Sequence, residues 1–286
     1  MKVLIVGDYH HKNKQGLERL LKYKGIEITY NVADIESCSL IYSPSNAINT
    51  EKYSNKKFIF GPHFSVFPTN KLVEINNVRN NGIYIQPSEW VTKFWREMNA
   101  ENVISLRSFC FPVDTDKFKP LNDRNDCKKA FIYFKRRKPE ELRLIEDVLK
   151  SRGFEYKIFD YMKTYEEEEY LKYLQGSKFG IILDAHESQG FAIEEALSCD
   201  VPLLVWNVRS MNQEYGYNYP DIPATSIPYW DDRCGEYFYE GDEVNKRLTE
   251  LLNKLDEYKP REYVLENLSV EKCANNFIKL VDEIKL

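Results

Sequence analysis

The sequence predicts an α/β protein made of two Rossmann-like halves, on three observations. Short apolar runs alternate with helical patterns, that rhythm stops and restarts around Pro112 and Pro120, and the charge balance changes at the same place. The 286 residues, 43% hydrophobic and 30% charged with 12 Gly and 12 Pro, supply a sizeable core and exclude a disordered or collagenous chain. Residues 1–112 hold 14 Lys and Arg against 10 Asp and Glu, and residues 113–286 hold 26 against 35, net charges of +4 and −9. An imbalance this small marks domains, whereas nucleic-acid binding needs a concentrated basic stripe, so no nucleic-acid partner is expected. No run of about eighteen apolar residues occurs, and Asp8 cuts the apolar opening too short for a signal peptide. A cytoplasmic chain without a transmembrane segment is therefore expected.

The first domain, 1–112, begins with the strand Val3-Leu4-Ile5-Val6, a helix from Gly16 to Tyr23 and a second strand from Ile26 to Tyr30. Further strands are Leu40-Ile41-Tyr42, Phe58-Ile59-Phe60 and Ile83-Tyr84-Ile85, with Ser88 as the cap of a helix through Glu89-Trp90-Val91. None of these runs alternates, as suits strands covered on both faces. The second domain, 113–286, repeats the scheme. Ala130–Phe134 is a strand, and Pro139 opens a helix with Leu142, Ile145, Val148 and Leu149 on one face and Gly153 beyond its end. Strands at Tyr156–Phe159, Phe179–Leu183 and Val201–Val205 alternate with helices through Tyr170–Leu174 and Phe191–Cys199. Two helices close the chain, one with Val244, Leu248, Leu251, Leu252 and Leu255 on a stripe, the other with Val270, Ala274, Phe277, Val281 and Ile284. The last helix is the one that could cross back to the first domain. Two such halves are expected to face a cleft, where ligands of open α/β sheets sit.

Six cysteines, Cys38, Cys110, Cys127, Cys199, Cys234 and Cys273, stand too far apart for zinc-ligand spacing and read as reduced, buried or bystander thiols. The run Glu166–Glu169 reads as the acidic first turns of a solvated helix.

The chemistry is concentrated in Asp184-Ala185-His186-Glu187-Ser188-Gln189-Gly190-Phe191-Ala192-Ile193-Glu194-Glu195-Ala196-Leu197. A buried strand delivers the chain to a short polar loop, Gly190 permits close approach of a ligand, and a helix starts at once with its N–H groups pointing back. Phosphate oxygens suit that position. Glu195 can accept two hydrogen bonds from a vicinal diol, as acidic residues do on ribose, and Glu187 faces the same pocket. The opposing reading leaves both glutamates on an ordinary surface loop.

This stretch resembles the E-x7-E motif of the retaining GT-B glycosyltransferases of the family four type. Glu187 and Glu195 fall on its two carboxylates, and Gly190, Phe191, Ala196, Leu197 and Pro202 match, with Asp200 where a glycine is usual. The passage from Pro87-Ser88 to Phe111-Pro112-Val113-Asp114-Thr115-Asp116-Lys117-Phe118-Lys119-Pro120 is similar to the family's interdomain connector, with Pro112 in place of a glycine. The resemblance implies a GT-B fold with a short N-terminal acceptor domain, and transfer of a sugar from a UDP- or GDP-linked donor with retention. The acceptor is a glycan, a lipid-linked or a small molecule. The diphosphate is held by the amides around Ser188, Gly190 and Phe191, the ribose by Glu195, and the sugar is placed by Glu187. No cofactor is implied. Asp114-Thr115-Asp116 falls in the connector, away from donor phosphates, so no metal is expected.

Lys135-Arg136-Arg137-Lys138 at the end of the second domain's first strand offers cations to the leaving diphosphate; Lys135, Arg136 and Arg137 are the candidates. Arg136 aligns with the family's arginine, and Glu141 stands where a lysine is usual. Solvated strand-end charge is the competing reading. His63, in Gly61-Pro62-His63-Phe64-Ser65, lies where the family often carries a histidine near the reacting carbon, or is structural. His10 and His11 follow the first strand and could meet acceptor or phosphate. Tyr161 is placed either at the nucleobase or in the core. Residues 206–240 match no pattern. The rival functions are a catalytically inactive nucleotide-sugar-binding or scaffold protein and, third, a phosphorylase or epimerase on the same architecture, the former of which lacks a pyridoxal-lysine context here.

Overall fold

The computed structural model describes residues 1–46, 48–63, 67–68, 81–121, 129–163 and 165–286. Phe64 and Ser65 of the His63 loop, and Cys127, lie outside the described residues. The chain divides into two compact units, 1–112 with 268–286, and 113–267.

The first unit is a six-stranded parallel sheet in the order β2-β1-β3-β4-β5-β6. Its strands are β1 (Lys2–Ile5), β2 (Glu27–Thr29), β3 (Leu40–Ser43), β4 (Lys57–Phe60), β5 (Gly82–Gln86) and β6 (Ser105–Ser108). Helices α1 (His11–Tyr23) and α2 (Glu89–Glu97) are joined by the chain's last helix, α8 (Val270–Glu283), which packs against α1. Cys273, Ala274, Phe277, Leu280 and Val281 form the buried face of α8, so the stripe read from the sequence belongs to the first unit's core. Lys57 Nζ donates to the Val281 carbonyl at 2.7 Å and Arg107 pairs with Glu283 at 2.8 Å, tying the end of α8 to β4 and β6.

The second unit is a five-stranded parallel sheet in the order β11-β10-β9-β7-β8. It comprises β7 (Lys129–Lys135), β8 (Glu155–Asp160), β9 (Phe179–Asp184), β10 (Leu203–Trp206) and β11 (Gly235–Phe238), with helices α3 (Pro139–Ser151), α4 (Glu167–Gln175), α5 (Phe191–Ser198), α6 (Val244–Asn253) and α7 (Pro260–Asn267). Ile145, Val148 and Leu149 of α3 and Val244, Leu248 and Leu251 of α6 pack on Ala130, Ile132, Ile181 and Leu204 of the sheet. Each such side chain contributes roughly 1.5–3 kcal/mol by leaving water. Gly180 sits where a Cβ would lie 2.2 Å from the Phe131 ring, which only glycine allows between strands this close.

Strands β6 and β11 and helix α7 were not expected. In β6, Ser-Leu-Arg-Ser buries only Leu106 fully, and in β11, Gly-Glu-Tyr-Phe puts a glycine and an acid beside its aromatics, so neither reads as an apolar run. The strand expected from Val201 starts at Leu203, after Pro202, which has no N–H for the ladder. Asp200, in the position of a usual glycine, has φ of 62°, a left-handed conformation that a short polar side chain tolerates, and its Oδ1 accepts the Arg261 N–H at 3.2 Å.

Candidate functional site

Strand order in the second unit reverses between β7 and β9: the chain steps from β7 outward to β8, then returns to β9 on the other side. Lys135 and Asp184, the last residues of these two strands, are register partners at that point. Parallel order puts the carboxyl ends of the strands on one edge, and a reversal opens a crevice there for a ligand. Four expected residues, Lys135, Glu187, Gly190 and Glu195, come from this edge and the loop above it.

Lys135 Nζ lies 2.5 Å from Glu187 Oε1 and 3.8 Å from Asp184 Oδ2. Asp184 is fully buried, and burial followed by the neighbouring Glu187 holds its carboxyl well above the ordinary range. For Glu187 burial also acts upward, but Lys135 and Asp184 outweigh it and keep this carboxyl below its usual value. Burial works against the Lys135 ammonium, and the two carboxyls more than restore it, leaving its pKa raised. The cluster thus holds one neutral acid, one carboxylate and one ammonium near neutral pH. Tyr165 connects it to Glu195: burial first, then Glu195, and more weakly Glu187, push the Tyr165 hydroxyl up to about 12. Both glutamates of the motif therefore sit within electrostatic range of one phenol, and both are largely buried, not turned to bulk water.

Gly190 has φ of 93° and is the N-cap of α5, where its carbonyl accepts the N–H groups of Ile193 and Glu194 at 3.0 Å each. The left-handed turn lets the loop reverse directly into the helix, which aims the amides of Phe191 and Ala192 out of the helix's positive end. Ser188 and Phe191 are half-buried beside it, and Gln189 Nε2 donates to Glu194 at 3.0 Å.

The three strand-end cations take different positions. Arg136, with φ of 51°, pairs with Glu214 at 2.7 Å and stands 4.8 Å from the Tyr217 ring and 5.8 Å from the Tyr161 ring. Burial weakens its charge, and Glu214 more than compensates. Arg137 turns inward instead: it is 2% exposed, binds Glu141 through Nε and Nη2 at 2.9 and 2.8 Å, and donates Nη1 to the carbonyls of Asp184 and Trp206. Its donors run to the scaffold under the site, and Glu141, which stands where a lysine was expected, is its partner. Tyr161 is exposed over the site edge, with Lys135 Nζ 4.9 Å from its ring.

Residues 207–226, which carried no readable pattern, form one wall. Asn207 Oδ1 accepts from the N–H groups of Val208 and Ser226 at 2.8 Å and from Thr225 Oγ1 at 3.0 Å; Ser226 Oγ donates to the Asp184 carbonyl, and Glu187 N–H to the Thr225 carbonyl. This segment brings in Glu214, whose second oxygen lies 3.1 Å from His186 Nδ1. Burial lowers the pKa of His186 against the pull of Glu214 and Glu187, which favours the neutral imidazole. The signal for Glu214 was absent from the sequence because it reaches the site from 78 residues beyond Arg136.

In the first unit, His63 follows β4 and packs edge-on against Trp95 and Tyr84, with ring centroids 5.3 and 6.1 Å away. His10 and His11, side by side at 4.5 Å, begin α1 on the exposed surface. Asp114 Oδ1 accepts the Lys117 N–H at 3.0 Å, a turn contact in the connector. Among the described residues no group of three or more His, Cys, Asp or Glu side chains is arranged to hold a metal ion, and no helix is long and apolar enough to cross a membrane.

No protein-family model matches the sequence, and neither does any curated protein. Solved structures do match. A glycosyltransferase from Rickettsia africae ESF-5 superposes with a TM-score of 0.66 at 12% identity, over 99% of this chain and 98% of its own. Sucrose-phosphate synthase from Thermosynechococcus elongatus gives 0.54 at 12% identity, over 96% and 79%. The catalytic domain of starch synthase IV from Arabidopsis thaliana, bound to ADP and acarbose, gives 0.53 at 11% identity, over 96% and 78%. With two parallel α/β sheets of six and five strands and these neighbours, the chain has the GT-B glycosyltransferase fold.

Proposed function

We propose that this protein is a retaining, metal-independent glycosyltransferase of the cytoplasm, which moves a sugar from a UDP- or GDP-linked donor to the hydroxyl of a glycan, lipid-linked or small-molecule acceptor. The observation that carries the reading is the gathering of Lys135, Glu187 and the Gly190 start of α5 at the point where the sheet order reverses. In the reaction the bond between the anomeric carbon and the β-phosphate oxygen breaks, and its electron pair passes to the diphosphate. The acceptor oxygen attacks from the same face, and its proton goes to the departing phosphate. Lys135, Arg136 and the amides at the start of α5 stabilise the growing negative charge. Glu195 holds the ribose diol, Glu187 orients the sugar through an oxygen not engaged by Lys135, and Tyr161 flanks the nucleobase. Arg137 acts as a positioning residue beneath Asp184, and His63 is assigned to the sugar's reacting end. At physiological pH a fixed cation placed before reaction costs no reorganisation, which is why buried, carboxylate-held Lys135 suits the task better than a solvated lysine.

A second reading, a nucleotide-sugar-binding protein without turnover, is favoured by one feature: Lys135, Arg136 and Arg137 each have a carboxylate partner, Glu187, Glu214 and Glu141. A diphosphate must compete with those anions. Titration with UDP and GDP, followed by NMR of the anomeric proton of any product, separates the two. Both predict nucleotide binding that Glu195→Ala abolishes; only the enzyme transfers or hydrolyses the sugar. No thermal shift with any nucleoside diphosphate would overturn both.

A further inference from the structure

A second cavity, of about 530 Å³, opens in the second unit at the far edge of the sheet, around β11 and α6. It lies three strands from β7, roughly 14 Å across the sheet at the usual strand spacing, and its volume falls within the ~300–1,000 Å³ of small-molecule sites. The cavity is lined by the aromatic rings of Trp230, Tyr237 and Tyr258 and by Glu236, Arg247 and Lys254. Tyr237 is 42% exposed, an unusual cost for a large ring unless a ligand covers it.

The polar groups are arranged around Glu236. Its Oε1 accepts from Tyr258 Oη at 2.8 Å and lies 3.4 Å from Lys254 Nζ, and its Oε2 lies 3.7 Å from Arg247 Nη1. Arg247 also bonds Glu250 at 2.9 Å, yet its buried Nε makes no hydrogen bond among the described residues. Backbone groups add to this. β11 is the edge strand, and Leu203 N–H binds the Cys234 carbonyl while Asn207 N–H binds the Phe238 carbonyl. In a parallel ladder that alternation leaves the amide and carbonyl of Gly235 and Tyr237 on the outer edge, and both residues line the cavity.

We infer that this cavity is a binding site for a neutral saccharide, separate from the Lys135–Glu187 site. Charge decides the class. Asp232, Glu236 and Glu257 face Arg247 and Lys254, so an anion meets three carboxylates and a cation meets two cations, whereas a neutral ligand rich in hydroxyls can donate to the acids and accept from Arg247 and Lys254 at once. Aromatic rings beside such groups match a sugar ring, whose C–H faces are apolar and whose rim is hydroxylated. The site does not depend on the activity proposed above: it could hold an acceptor chain or a glycan unrelated to transfer.

The test is saturation-transfer NMR on the full chain with neutral trisaccharides, maltotriose, cellotriose and chitotriose, and with glucose 6-phosphate as an anionic control. At least one trisaccharide is expected to receive saturation, with affinity at least fivefold weaker in Tyr237→Ala and in Trp230→Ala, kept in Tyr237→Phe, and unchanged in Glu195→Ala. Unfolding curves of the variants show whether the fold survives. The inference is overturned if no trisaccharide binds, if binding is unaltered in folded Tyr237→Ala and Trp230→Ala, if it is lost in Glu195→Ala, or if glucose 6-phosphate binds there more tightly than the neutral sugars.

Discussion

Replacing Arg137 with Met separates a scaffold role from a phosphate-binding one. The Arg137 side chain is 1% exposed and makes four hydrogen bonds, two to Glu141 and one each to the Asp184 and Trp206 carbonyls, with Trp206 also 5.2 Å beneath its guanidinium. Removing one partner of a buried ion pair costs about 3–5 kcal/mol, because the other charge and the two carbonyls lose their donors. At about 2–4 °C per kcal/mol for a unit of this size, the melting temperature should fall by roughly 6–20 °C. Thermal unfolding followed by circular dichroism measures this, and Glu141→Leu added to Arg137→Met should recover part of the loss, since apolar replacement of both partners removes the unpaired carboxylate. Below its melting temperature the single variant should bind UDP or GDP within a few-fold of the parent. An unchanged melting temperature together with lost nucleotide binding would refute the assignment and put the Arg137 guanidinium on the phosphates.

Other consequences are equally direct. Gly190→Ala forces a side chain into φ of 93°, and should cost about 1–2 kcal/mol in urea unfolding while weakening nucleoside diphosphate binding. Glu214→Gln removes the anion that holds proton affinity up at His186, so in an NMR titration the imidazole pKa should move further below its ordinary value. His186 also sets a pH dependence: its folded pKa is depressed by burial, so the unfolded chain binds more protons below about 6.5 and stability declines as pH falls through that range. Unfolding free energies between pH 7.5 and 5.5 should show that decline, and His186→Asn should flatten it. Gly180→Ala places a methyl group against the Phe131 ring and should destabilise by about 1–3 kcal/mol, read as a lower urea midpoint.

The sequence by itself determined the two parallel sheets and most of their elements, because buried parallel strands are continuous apolar runs and their helices carry apolar stripes at fixed spacing. It also determined the strand, loop and glycine that bring Glu187 and the start of α5 to a sheet edge. Periodicity says nothing about strands that are short and half polar, so β6 and β11 stayed hidden, and so did the outer-edge cavity beside β11. Only the tertiary structure decided how Lys135, Arg136 and Arg137 divide their work. Three adjacent cations look alike in sequence, and the left-handed turn at Arg136 together with the partners Glu187, Glu214 and Glu141 sets them apart. Asp184, Asn207 and Glu214 likewise acquire roles only when residues far apart in the chain meet, since burial and neighbouring charge, which fix their chemistry, are properties of the packed site and not of local sequence.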